Sequence, residues 1–142
     1  MNMKPRILLI EDDLHRIEIF RKWVAGSEFV LIEAKSGGRA MGILRKGMTD
    51  GIVGVCLDND LEKQCLTESD QSLSGTKLII AISLSIPRSA PILIHSMNAS
   101  QPPAMERRLT SYGFSVTRIR MIALAQTSFN NWLQEARDNL ED

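Results

Sequence analysis

The chain has 142 residues, close to the common size of one domain and enough to bury roughly two thirds of its unfolded surface. Its 17 Lys and Arg residues balance 17 Asp and Glu residues, and no basic run marks a nucleic-acid or membrane footprint. Cys56 and Cys65 lack metal-ligand spacing, and the apolar stretch from Leu78 to Ile86 is too short to span a bilayer; with no secretory segment at the start, a reducing cytoplasm is the expected setting.

The first apolar run, Arg6 to Ile10, is short and continuous, as suits a strand buried on both faces of a parallel sheet. Glu11-Asp12-Asp13 follows it directly. A helix is predicted from about Leu14 to Ala25, with Asp12 or Asp13 as its cap and Gly26 as its stop. Leu14, Ile17, Phe20 and Val24 recur at three- and four-residue steps and predict one buried face, leaving His15 on the surface. A second strand is predicted over Phe29 to Ile32, and a second helix over Gly38 to Arg45 that stops near Gly47.

The third strand, Ile52 to Leu57, again ends on acids, Asp58 and Asp60. Asp58 to Gly75 is polar with little periodicity, and a loop of that length inside a domain is often functional. A helix over Thr76 to Leu84 is stopped by Pro87, and a fourth strand covers Pro91 to Ile94. The next helix starts at Pro102 or Pro103, where proline suits the first turn, and ends before Gly113. A fifth strand runs from Phe114 to Ile119, and the last helix from Ala125 to Leu140 turns Phe129, Trp132, Leu133 and Ala136 inward. Five strands alternating with five helices predict one α/β domain over residues 1–142: a doubly wound, five-stranded parallel sheet between two helical layers. The strand order 2-1-3-4-5 sets the first and third strands side by side at the switch point, where such sheets bind ligands beyond the strands' carboxyl ends.

In that order Asp12, Asp13 and Asp58 share one crevice. Like charges about 4 Å apart repel by around 4 kcal/mol at an effective dielectric near 20. A raised pKa, a basic neighbour or a divalent cation has to offset this. Mg²⁺ favours one or two carboxylates, several waters and a phosphate oxygen, so the expected metal ligands are Asp12, Asp13, Asp58 and Asp60. The bland alternative is a helix cap at Asp12 or Asp13 and a turn residue at Asp58. The fourth strand runs into His95-Ser96-Met97-Asn98 beside Asp58. Ser96 and Asn98 can donate to a phosphate oxygen, and His95 can act as acid or base or serve as a hydrogen-bonded structural group. Arg118 and Arg120, two residues apart on the fifth strand, lie on one face, and one of them is a candidate anion clamp.

These residues resemble the response-regulator receiver family along nearly the whole chain. Ile-Leu-Leu-Ile-Glu-Asp-Asp at Ile7 to Asp13 is similar to the family's first strand and acidic pair. Val-Cys-Leu-Asp-Asn-Asp-Leu at Val55 to Leu61 puts Asp58 at the phosphoacceptor position, and Ser96 after Pro-Ile-Leu-Ile-His matches the Ser/Thr switch position. The resemblance implies a flavodoxin-like sandwich, Mg²⁺ at Asp12, Asp13 and Asp58, and phosphoryl transfer to Asp58 from a histidine kinase or other signalling protein. Two features depart from the family: no Lys-Pro pair follows the fifth strand, and Asn59-Asp60-Leu61-Glu62 replaces a Met-Pro-Gly turn. An atypical branch, the cyclic-phosphate-processing receiver-like domains, is similar in Leu57-Asp58-Asn59-Asp60-Leu61 and in His95-Ser96-Met97-Asn98, with Asn59 where that branch carries histidine. That resemblance implies a small phosphate ester or RNA end as the ligand. Two functions therefore stand beside each other: a stand-alone phosphorelay module without a DNA-binding domain of its own, and an enzyme or binding module for phosphate esters that uses Asp58, His95, Ser96, Asn98 and Arg118.

Overall fold

The computed structural model describes residues 4–58, 68–96, 104–121 and 124–140, with residues 68–76 and Ser96 as backbone only. In chain order the elements are β1 (Arg6–Ile10), α1 (Leu14–Val24), β2 (Val30–Ala34), α2 (Gly37–Arg45), β3 (Ile52–Asp58), α3 (Glu68–Ser85), β4 (Ile92–Ser96), α4 (Ala104–Ser111), β5 (Val116–Arg120) and α5 (Gln126–Leu140). The strands form one parallel sheet in the order β2-β1-β3-β4-β5, which is the predicted fold class and order.

Strand alternation divides the core into two layers. Leu8, Ile10, Val55, Leu57, Ile92 and Ile94 face α2, α3 and α4, where they meet Ala40, Leu44, Leu78, Ile79, Ile82 and Leu109. Ile7, Leu9, Cys56 and Leu93 face α1 and α5 and meet Ile17, Phe20, Val24, Phe129, Trp132 and Leu133. The central strands are sealed on both sides, which is why they read as unbroken apolar runs.

The α1/α5 layer is aromatic. Phe20 packs edge-on to Trp23 and Phe129 at 5.7 and 5.5 Å, and Phe129 stands 5.8 Å from Trp132. The indole of Trp132 lies so close to β3 that a Cβ added at Gly54 would sit 2.8 Å from its Cη2 and 3.1 Å from Ile7 Cδ1. Gly54 is what allows α5 to approach the sheet there.

Several boundaries differ from the sequence reading for identifiable reasons. β2 continues to Ala34 because Glu33, on an edge strand, is satisfied by Arg21, whose Nε and Nη2 donate to its carboxylate at 2.5 and 2.6 Å. α3 begins at Glu68, two turns before the predicted Thr76, because those turns are polar and carry no apolar period. β4 runs past Ile94 to include His95 and Ser96. β5 starts at Val116, with Phe114 buried in the core just ahead of it. Leu14, expected on the buried face of α1, is 64% exposed; Ile17, Phe20 and Val24 carry that face. α1 stops at Val24, and Gly26, just past the Ala25 cap, has a φ of +88° that suits a residue without a Cβ.

Two expectations follow. Gly54→Val should lower stability by about 1–3 kcal/mol by pressing a branched side chain into Trp132 and Ile7, read as a lower urea midpoint; an unchanged midpoint would contradict the close packing. The second concerns Arg137 of α5, whose Nε and Nη2 donate to Glu28 at 2.5 and 2.6 Å. The Arg137 hydrogen bond lowers the Glu28 pKa from 4.5 to about 2. A carboxylate with a depressed folded pKa adds stability above its unfolded pKa and loses it as pH falls toward the folded one. Glu28→Gln should therefore cost about 0.5 kcal/mol at neutral pH, as for an exposed pair, and the gap should close between pH 4.5 and about 2. A gap that stays constant through this window, in urea melts of both chains, would contradict the pairing.

Candidate functional site

Three strands deliver one side chain each to the same spot. Glu11 follows Ile7 and Leu9 on the α1/α5 face of β1; Asp58 follows Cys56 on β3; His95 follows Leu93 on β4. Asp58 and His95 are direct register partners. Glu11, Asp58 and His95 are 0%, 1% and 1% exposed. One potential ligand atom from each lies within 4.8 Å of the others. The sequence pattern placed carboxylates at this edge; the alternation of β1 decides that Glu11 is the one pointing inward.

A cation already serves these acids. Arg16, one turn into α1, donates through Nε to Glu11, and its Nη2 lies 3.6 Å from Asp58 Oδ2 and 3.8 Å from Asp12 Oδ1. Burial pushes the Glu11 carboxyl above its ordinary range, while hydrogen bonds with Asp58 and Arg16 pull it back only in part. Burial works against the charge of Arg16, but its bond to Glu11 more than restores it and raises its pKa. His95 Nε2 lies 3.3 Å from Glu11 Oε2; against a carboxylate, Nε2 is the donor. The ring of Phe20 stacks obliquely on His95 at 5.0 Å, holding the imidazole against the aromatic layer.

The other predicted residues take different positions. Asp13, expected both as a candidate cap and as a metal ligand, is the N-cap of α1: its carboxylate accepts the Arg16 backbone N–H at 2.9 Å, and this bond lowers its pKa. Asp12 is half-buried at the rim, within reach of Arg16. Arg118 is not where the clamp was expected. Val116 packs into the α2/α3/α4 layer and Ile119 into the α1/α5 layer, so Arg118 belongs to the sheet face opposite Glu11 and Asp58. The guanidinium at the acids comes from α1. Ser96 closes β4 in register with Arg120. Asp60 and Asn98 lie outside the described residues. His15 is exposed, as expected.

Glu11 and Arg16 are therefore the two site residues that sequence reasoning passed over. Both had a signal. Glu11 has the parity of Ile7 and Leu9 in a strand, and Arg16 stands four residues after Asp12 and three after the cap. The resulting arrangement can neutralise a buried acid pair, orient an imidazole, and offer oxygen ligands to a hard cation. Glu11 and Asp58 fit the one or two carboxylates that Mg²⁺ takes alongside water.

The cap and the pocket can be separated experimentally. Asp13→Ala should cost about 1 kcal/mol of stability and Asp13→Ser much less, since serine also caps; in Asp13→Ser, which keeps the cap, Mg²⁺ affinity measured by calorimetry should stay that of the unaltered chain. Loss of Mg²⁺ binding in the stably folded Asp13→Ser chain would show that Asp13 is a ligand after all.

No protein-family model matches this sequence, and no curated protein matches it. Solved structures do. The signal receiver domain of an HD domain-containing protein from Pseudomonas fluorescens aligns with a TM-score of 0.72 at 13% identity, covering 99% of this chain and 100% of that one. A CheY-like response regulator receiver domain protein from Methanospirillum hungatei aligns at 0.70 and 13% identity over 98% of each chain. The receiver domain of a sensor histidine kinase from Pseudomonas aeruginosa, solved with a magnesium ion coordinated in its active-site cleft, aligns at 0.64 and 16% identity over 93% of this chain and 96% of its own. Across almost its whole length, this chain has the fold of a response-regulator receiver domain.

Proposed function

We propose that this chain is a receiver module of phosphorelay signal transduction, with Asp58 as the phosphoacceptor. The observation that carries the reading is the placement of Asp58 at the carboxyl end of β3, beside Glu11 of the neighbouring strand, in a sheet of receiver topology. Glu11, Asp12 and Asp58 would hold Mg²⁺, which when bound supplies positive charge to offset a phosphate next to carboxylates. In the transfer, an Asp58 carboxylate oxygen attacks phosphorus, the new O–P bond replaces the N–P bond of a kinase phosphohistidine, and the electron pair returns to the imidazole. Ser96, at the end of β4, is the proposed hydroxyl contact for the phosphoryl group, and Asp60 and Asn98, outside the described residues, are proposed as further residues of the site. Arg118, on the other face, is not assigned the clamp. The proposed partner is a histidine kinase or another signalling protein: one structural neighbour belongs to a sensor histidine kinase and another to an HD domain-containing protein. The proposed compartment is the cytoplasm, and no helix among the described residues is long and apolar enough to cross a membrane.

The phosphate-ester reading assigns His95 to proton transfer. His95 is buried against Phe20 and engaged with Glu11, a setting for an orienting group more than for one that meets a substrate proton. The signalling reading is therefore preferred.

Incubation with acetyl phosphate and Mg²⁺, followed by intact-mass measurement, should give a single phosphoryl adduct that Asp58→Asn abolishes. No adduct, or one retained in Asp58→Asn, would contradict the assignment. Turnover of a 2′,3′-cyclic nucleotide that disappears in His95→Ala would transfer the site to the enzymatic reading.

A further inference from the structure

Arg16 stands where a pocket of this kind would receive its metal. Its guanidinium bonds Glu11 and sits 3.6 Å from Asp58 and 3.8 Å from Asp12, so it touches all three carboxylates to which the proposed function gives the cation. It is tethered: the backbone N–H of Arg16 is held by the Asp13 cap, which fixes where its side chain begins. It is only partly covered, with 18% of its side chain exposed, against 0% and 1% for Glu11 and Asp58. The acids are thus enclosed, and among the described residues the cation over them has a way out to solvent.

We infer that Arg16 is a built-in counter-cation that competes with a divalent metal for Glu11 and Asp58, so that metal binding requires the guanidinium to leave. This rests on reading the pocket as a cation site. A guanidinium and a divalent ion cannot share the same two carboxylates at these distances, because each would meet the other's charge in a partly desolvated space. The pocket then has two charge-balanced states, one closed by Arg16 and one loaded with metal. Arg16 sets the metal concentration at which they exchange. It is a specificity-determining residue: a monovalent ion gains too little from two carboxylates to displace it, whereas a divalent ion gains more.

Calorimetric titration with Mg²⁺, with Na⁺ as control, tests this on the unaltered chain and on Arg16→Gln. The inference expects Arg16→Gln to bind Mg²⁺ about tenfold or more tightly than the unaltered chain, and Mg²⁺ to raise its melting temperature by the larger amount. Equal or weaker binding by a folded Arg16→Gln, with measurable binding by the unaltered chain, would overturn the inference and leave the metal pocket standing. No binding by either chain at millimolar Mg²⁺ would overturn the pocket reading and this inference together. Should Arg16→Gln fail to fold, the unaltered chain supplies the answer by nuclear magnetic resonance, with the Arg16 Nε–H signal assigned through its loss in Arg16→Lys. Mg²⁺ should shift that signal as the bond to Glu11 is released. A signal that stays put while the Asp58 amide responds would overturn the inference.

Discussion

Two carboxylates buried side by side are the constraint around which this end of the molecule is organised. Glu11 and Asp58 finish strands whose preceding residues are sealed into an aromatic and aliphatic layer. Glu11 and Asp58 are almost wholly covered, so their charge has to be balanced from within the chain or by a bound ion. Arg16 supplies the internal balance, and the local sequence explains how. Three residues, Glu11 to Asp13, separate β1 from α1; the last caps the helix, the cap fixes the first turn, and the first turn carries Arg16 back over the strand end. Strand parity, helix capping and charge compensation are consecutive steps of one short segment.

The same end of the sheet shows how packing supports chemistry. His95 belongs to a strand row that begins with Leu93, and it is held between Glu11 and the ring of Phe20. Phe20 in turn touches Phe129, which stands beside Trp132, and Trp132 reaches β3 over Gly54. The buried polar trio therefore rests on an aromatic layer shared by α1 and α5.

Much of this was legible in the chain. The continuous apolar runs of β1, β3 and β4 and the periodicity of α5 specify a doubly wound sheet because burial on two faces and on one face leave different marks. Asp58 and His95 could be placed side by side from strand order alone. What the pattern concealed had physical causes. The polar opening turns of α3 carry no apolar period, and Glu33 extends β2 because a partner from another element satisfies it. At the pocket, three successive acids look equivalent in a sequence. The parity of β1 carries Glu11 inward, the start of α1 takes Asp13 as its cap, and only the folded α1 shows Arg16, not Arg118, as the cation. Asp60 and Asn98 fall outside the described residues. The fold is shared with receiver domains at identities low enough that function rests on these residues and not on the likeness.

The central claim is that Glu11 and Asp58 form one cation-holding pocket, and anomalous diffraction from crystals soaked in Mn²⁺ tests it most directly. The account predicts a single strong peak between the Glu11 and Asp58 carboxylates, with the Arg16 side chain turned away from both. No peak at that position, with the two carboxylates directed apart, would contradict it.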